Sequence, residues 1–63
     1  SILNVLPAVV RSLADEGPAQ CIVALDVAGT TLLARVTRRS ADALALAPGL
    51  PLFAQVKAAA LLD

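Results

Sequence analysis

Few side chains in this 63-residue sequence could take part in acid–base or nucleophilic chemistry, and they do not form a catalytic set. There is no histidine and one cysteine, Cys21, so an intrachain disulfide and a Cys/His zinc site are excluded. Cys21 falls on the apolar side of an alternating segment, where an inert core thiol is expected. Asp15 and Glu16 lie in a predicted turn and Asp42 at a predicted helix start, without a histidine or nucleophile beside them. We predict that the chain is not an enzyme and carries no cofactor.

Several polar side chains have placements that suit either structure or binding. Thr37 and Ser40 precede or begin a predicted short helix, and either can cap it. Lys57 ends a predicted strand, where a solvated edge lysine is the usual finding. Arg35 is expected to face solvent or to pair with Asp26 across a hairpin. The adjacent Arg38 and Arg39 are expected to be solvated surface, and the alternative is that they add positive potential near a binding site.

The elements that would position these side chains are mainly strands, because apolar residues recur with a period of two. The pattern predicts strands over 19–27, 31–37 and 51–57, and the glycine-containing segment 28–30 joins the first two as a hairpin. An earlier strand is predicted over 4–13, with an edge or a bulge at Pro7, before a loop over 14–18. The tail over 58–62 fits a last short strand or a helix equally well.

One segment, residues 40–46, departs from this period and favours a short helix. Asp42 is expected near the positive end of its dipole, and the Ala47-Pro48-Gly49 turn ends it. Three strands, a helix and one or two further strands indicate an all-β domain with one short helix. The layout is that of an OB-type five-stranded small barrel, a single domain over 1–63.

The composition favours association between chains and excludes several partner classes. Hydrophobic residues make up 59% of a chain too small to hide them easily, so we expect a homo-oligomer or a fragment docked on a larger protein. Five basic residues balance five acidic ones and Phe53 is the sole aromatic, which argues against nucleic-acid binding. No apolar run is long enough for direct membrane insertion, and the first residues lack a signal-peptide pattern. A single cysteine without a partner is compatible with the cytoplasm.

Three motifs in order resemble the Mop (TOBE-type) domains of molybdate-handling proteins. They are Ser1-Ile2-Leu3-Asn4, Thr37-Arg38-Arg39-Ser40 with Leu44-Ala45-Leu46 and Pro48-Gly49, and Gln55-Val56-Lys57-Ala58. Further segments are similar to one branch, the C-terminal regulatory domain of the ATP-binding subunit of molybdate importers. These are Asn4-Val5-Leu6, Asp26-Val27-Ala28-Gly29 and Leu33-Ala34-Arg35-Val36. The resemblance covers essentially the whole chain.

The resemblance implies an OB-type fold that assembles into dimers or rings and binds molybdate or tungstate at subunit interfaces. The matching oxyanion-binding positions are Ser1, Asn4, Thr37, Ser40, Lys57 and the backbone of Ala58. A tetrahedral dianion needs several hydrogen-bond donors and charge compensation. Lys57 would supply the cation, Thr37 and Ser40 the hydroxyls, and the first helical turn free N–H groups. Thr37 and Ser40 could cap the helix and bind the anion at the same time, because one helix start can do both.

One departure from the family pattern concerns Leu3, which stands where the S-x-R-N motif has arginine. The resemblance implies a cytoplasmic oxyanion-binding domain, either the regulatory domain of an importer's ATP-binding subunit or a small molybdate-storage protein. Transporter subunits would then be further partners, and a location peripheral to the inner membrane would follow. The alternative is a structural dimerisation module of OB type that has lost the ligand, for which Leu3 is the main support.

Overall fold

A curled antiparallel sheet and one short helix make up residues 3–57, the part of the chain that this computed structural model describes. In chain order the elements are β1 (Leu3–Glu16), β2 (Gln20–Val27), β3 (Thr30–Thr37), α1 (Arg38–Ala43) and β4 (Pro51–Lys57). The strand order in the sheet is β3-β2-β1-β4. This confirms an all-β fold with one helix between the third and fourth strands. The element predicted over 58–62 lies outside the described residues.

The long strand β1 is shared between the two halves of the sheet. Its first half, from Leu3 to Val9, pairs with β4, and its second half, from Val9 to Glu16, pairs with β2. The β1–β2 register shifts between Val10 and Ser12, the signature of a bulge that bends the strand. Because each half of β1 has a different neighbour, the sheet curls into a half-barrel with β3 and β4 at its edges.

The predicted end of the first strand and its predicted irregularity both need correction. The strand does not stop at residue 13 but continues to Glu16, because this stretch pairs with β2. Among the described residues Pro7 is an edge position, as predicted, since this part of β1 pairs with β4 and with no other described strand. The bulge lies at Arg11 instead of Pro7.

The concave face of the sheet carries the core. Val10 and Val23 are 1% and 2% exposed, and Ala8, Cys21 and Leu25 are buried beside them on the same face. This confirms Cys21 as a buried core residue and the alternation along β2. Burying a valine side chain stabilises a fold by about 1.5–3 kcal/mol, so these residues hold the two halves of the sheet together.

The turn between β2 and β3 has positive φ angles at both central residues, 50° at Ala28 and 87° at Gly29. Two successive positive φ angles define a type I′ turn, whose twist matches that of paired strands. The Asp26 carboxylate, which precedes the turn, accepts a hydrogen bond from the Gly29 N–H at 2.9 Å and so stabilises the turn conformation. The predicted hairpin is therefore confirmed.

Helix α1 begins two residues earlier than predicted and ends in a Schellman motif. The Leu46 N–H donates to the Ala41 carbonyl at 3.0 Å, and the Ala45 N–H donates to the Asp42 carbonyl at 3.1 Å. Ala45 takes the left-handed conformation, φ 52°, that this motif requires. The expectation for Asp42 is wrong, because it lies in the last turn of α1, away from the positive end of the dipole. No helix within residues 3–57 is long and apolar enough to cross a membrane.

Candidate functional site

Thr37 and Ser40 form a hydrogen-bonded hydroxyl pair at the start of α1. The Ser40 N–H donates to Thr37 Oγ1 at 3.0 Å, and the Thr37 hydroxyl donates to Ser40 Oγ at 2.9 Å. Thr37 is therefore the N-cap, with extended backbone angles (φ −71°, ψ 150°). A hydroxyl has one hydrogen, so this pair leaves the hydrogen of Ser40 available to another acceptor. Both residues are exposed to solvent.

The backbone donors at the start of α1 are less available than the sequence implied. The Arg38 N–H donates to the Ala19 carbonyl at 2.9 Å, and the Ser40 N–H is used by Thr37. Two of the first three helical N–H groups are therefore already occupied. An anion bound here would meet mainly side-chain donors.

Arg38 adds a cation to this end of the fold. With Thr37, Arg39, Ala19 and Asp42 it lines an open cleft of about 640 Å³. Its guanidinium forms an ion pair with the carboxylate of Asp15. The hydrogen bond that Arg38 donates to the Asp15 carboxylate, together with the negative charge of Asp15, raises the pKa of Arg38 above its ordinary value, so the guanidinium stays charged.

The surroundings of Arg38 and Asp15 were not foreseen from the sequence. Arg38 is not simply solvated, and Asp15 lies in β1 instead of a turn. Glu16 also lies in β1. The available signal was the position of Arg38 inside the T-x-x-S motif, next to the predicted cap.

Arg35 has a structural role, as predicted, but with a different partner. Its Nε atom lies 2.6 Å from Glu16 Oε1, while Asp26 pairs with Arg11 at 3.4 Å. The register explains the error. Arg35 is opposite Ile22, whereas Asp26 is opposite Thr31, so roughly 13 Å of strand separates Arg35 from the position facing Asp26.

The other predicted site residues lie at the opposite end of β1. Leu3 is the register partner of Lys57, and Asn4, which is exposed, is the partner of Val56. The structure thus brings Asn4 close to the backbone of Lys57. Ser1 and Ala58 lie outside the described residues.

Among the described residues, the structure does not bring Asn4 to the Thr37–Ser40 pair. Thr37 is opposite Gln20, which in turn faces Glu16 at the far end of β1 from Asn4. Roughly twelve residues of strand at ~3.3 Å each separate Asn4 from Glu16 along β1. Within residues 3–57, no Cα atom of β3 or α1 lies within 8 Å of one in β4. Within residues 3–57, Asn4 and the Thr37–Ser40 pair therefore lie at opposite ends of the sheet.

The convex side of the β1–β4 pair is an exposed apolar face. Phe53 is 74% exposed and stands opposite Pro7, with Val5 (59% exposed), Val9 and Pro51 on the same side. These residues alternate with the core residues of β1 and β4, which point the other way. We refer to this set as the Phe53 face.

Comparisons with known proteins agree with the motifs. A model of the TOBE domain family matches residues 1–62. The chain is 56% identical over 62 residues to the molybdenum import ATP-binding protein ModC of Albidiferax ferrireducens, covering 98% of this chain and 17% of that protein. The ModC protein of Aromatoleum aromaticum is 61% identical over 62 residues, covering 98% and 16%. The chain thus spans about one sixth of the length of these relatives.

Solved structures give the same result for the fold. A molybdate-binding protein from Sporomusa ovata matches with a TM-score of 0.85 and 34% identity, covering 95% of this chain and 91% of that one. MopII from Clostridium pasteurianum matches with a TM-score of 0.83 and 27% identity, covering 95% and 92%. The OB-type assignment is confirmed, and so is the resemblance to the regulatory-domain branch. This chain belongs to the TOBE domain family, whose members are binding domains and not enzymes.

Proposed function

We propose that this domain binds molybdate or tungstate at interfaces between copies of the chain. The observation that carries the proposal is the match, over 95% of the chain, to a solved protein that is named for molybdate binding. The residues at the two ends of β1 have the chemistry for such a ligand. A tetrahedral dianion accepts hydrogen bonds at every oxygen and requires nearby positive charge.

The donors fall into two sets, and each set alone is incomplete. The Thr37–Ser40 pair presents a hydroxyl hydrogen beside Arg38. The other set consists of Asn4, Lys57 and the two predicted positions outside the described residues, Ser1 and Ala58. Because Asn4 and the Thr37–Ser40 pair lie at opposite ends of the described sheet, we infer that an oxyanion that uses both sets binds where two copies meet.

Association between copies has independent physical support. A domain of this size buries only about 60% of the surface that its unfolded chain exposes, and 59% of its residues are hydrophobic. The Phe53 face exposes the only aromatic side chain, the residue type enriched at the centres of protein interfaces. We infer that a second copy covers this face.

The relatives suggest the setting in which the domain works. They are named as import ATP-binding proteins, and this chain corresponds to about one sixth of their length. We infer that the domain regulates such a subunit in the cytoplasm, peripheral to the inner membrane through its transporter. Bound oxyanion would favour one arrangement of the domains, which requires different affinities for the two arrangements.

Calorimetric titration of the purified chain with molybdate and tungstate, and with sulfate and phosphate as controls, tests the proposal. A site made of donors suits a fully deprotonated dianion and penalises the proton of hydrogen phosphate. The longer metal–oxygen bonds distinguish molybdate from sulfate by size. Saturable heat is expected for molybdate and tungstate alone. Equal heats for molybdate and sulfate, or none for either, would contradict the proposal.

A serine variant gives a residue-level test with a matched control. Ser40→Ala removes the hydroxyl but keeps the Ser40 N–H bond to the Thr37 cap, so the helix should be retained. Affinity for molybdate should fall by about fivefold or more, the value of one hydrogen bond of ~1 kcal/mol. Ser12→Ala, at an exposed serine in β1, should leave the affinity unchanged. Equal affinities for the two variants would remove Ser40 from the site.

A structural module without ligand is the second candidate, and it is favoured by Leu3 in place of the family's arginine. This candidate predicts association without any molybdate heat. Measuring sedimentation and titration on the same sample separates the two. Ligand-dependent association supports the oxyanion site.

A further inference from the structure

Arg38 is the charged side chain best placed to complete the Thr37–Ser40 set. It directly follows Thr37, lines the same cleft, and has its backbone fixed by the bond from its N–H to the Ala19 carbonyl. A guanidinium offers a fork of donors that fits two oxygens of a carboxylate or of a tetrahedral anion equally well. Its orientation therefore decides how much charge compensation this set supplies.

In the structure the fork is engaged by a carboxylate of the same chain. Asp15, near the end of β1, accepts from the Arg38 guanidinium across β2. The Asp15 side chain is 71% exposed and that of Arg38 41%, so the pair is open to solvent. Solvent-exposed ion pairs are weak, and an incoming dianion can compete with one.

We propose that Asp15 is a built-in competitor of the oxyanion, which occupies the Arg38 guanidinium until the ligand takes it over. This inference rests on the proposed oxyanion binding and assigns Asp15 a role as a positioning residue. Asp15 lowers the affinity in two ways. It must give up its hydrogen bond to Arg38, and its negative charge lies close to where the dianion would bind.

The chain provides a matched control at the next residue. Glu16 is also a carboxylate in β1, is also paired with an arginine, and changes the net charge by the same amount when neutralised. Its partner Arg35 does not line the cleft at the start of α1. Glu16→Gln therefore reproduces the general electrostatic effect of Asp15→Asn without releasing Arg38.

The experiment is a calorimetric titration of the purified chain and its variants with sodium molybdate at constant ionic strength. Asp15→Asn should bind molybdate about two- to fivefold more tightly, the range expected from removing an exposed ion pair. Glu16→Gln should match the unsubstituted chain. In an Arg38→Ala background, the gain from Asp15→Asn should shrink to the part that comes from the charge of Asp15 alone, because the competition for the guanidinium is gone.

The outcomes separate this inference from the function on which it rests. If the unsubstituted chain and every variant give no molybdate heat, the proposed function itself fails. If the unsubstituted chain binds but Asp15→Asn equals Glu16→Gln, or its gain is undiminished with Arg38→Ala, the competitor role is overturned. Asp15→Ser serves as a second neutralising variant, and thermal unfolding confirms that each variant is folded.

Discussion

Thr37 uses one hydroxyl as both acceptor and donor, so its first role is to hold the start of α1. Ser40 is the better probe of the ligand, because its side-chain hydrogen is not used by the cap. The two residues show how an N-cap and a binding group can share one short motif without excluding each other.

Lys57 is the single cation predicted to contact the oxyanion from the β4 end. Lys57→Ala should weaken molybdate binding by roughly tenfold or more, because a charge-assisted hydrogen bond is worth about 1.5–3 kcal/mol. Arg35→Ala is the control, since Arg35 is engaged with Glu16. Titration of both variants checks this, and an unchanged dissociation constant for Lys57→Ala would make Lys57 an ordinary edge residue.

Leu3 marks the departure from the family pattern and invites the reverse experiment. Leu3→Arg should strengthen molybdate binding by about 1–2 kcal/mol, less than a full charge-assisted bond because the long side chain must be ordered. The register places residue 3 directly opposite Lys57, at the same end of β1 as Asn4. Titration and sedimentation on the same variant test this. Unchanged affinity with disrupted association would favour the structural module.

Single polar residues were harder to predict than the elements that carry them. Arg35 was correctly assigned a structural role, but its partner depends on which strand lies beyond β2, which local periodicity does not contain. Asp42 was misplaced because the helix starts two residues earlier than its helix-forming residues suggest. The Asp15–Arg38 pair joins β1 to the start of α1, which directly follows β3. Because β2 lies between β1 and β3 in the sheet, this pair becomes visible only once the strand order is known.

At the scale of elements, the end of α1 contains a conformational cost that can be removed. Ala45 occupies the left-handed position of the Schellman motif, where glycine avoids a cost of about 1–2 kcal/mol. Ala45→Gly should stabilise the fold by about 1 kcal/mol in urea unfolding. Ala43→Gly, at the last residue of α1, where φ is not positive, should instead destabilise the fold by up to a similar amount. Destabilisation by both would show that Ala45 contributes packing that outweighs its strain.

The strands were predicted well where the alternation is unbroken. The bounds of β2, β3 and β4 agree with the period-two pattern to within one residue. The end of β1 was missed because the bulge at Arg11 shifts the alternation and makes the strand after it resemble a loop. The composition of 14–18, rich in charge and ending in Gly-Pro, reinforced that error.

At the scale of the whole molecule, the Phe53 face predicts association. Phe53→Ser should raise the dissociation constant of the assembly by at least tenfold, because buried aromatic anchors contribute about 2 kcal/mol or more. Leu33→Ser is the control, since Leu33 is 72% exposed but belongs to β3, away from this face. Sedimentation across a concentration series measures both. A monomer in the unsubstituted chain at high micromolar concentration, with and without molybdate, would contradict the prediction.

The sharing of β1 between two neighbours also orders the folding of the chain. The β2–β3 hairpin closes over a short loop, whereas the pairing of Leu3 with Lys57 joins residues from opposite ends of the chain. Distant pairings cost more loop entropy and form later. We expect β4 to dock last and to detach first, so its amide hydrogens should exchange with solvent before those of β2. Any ligand bound at Lys57 would therefore stabilise the least protected part of the fold. Molybdate should slow amide hydrogen exchange in β4 more than in the other strands.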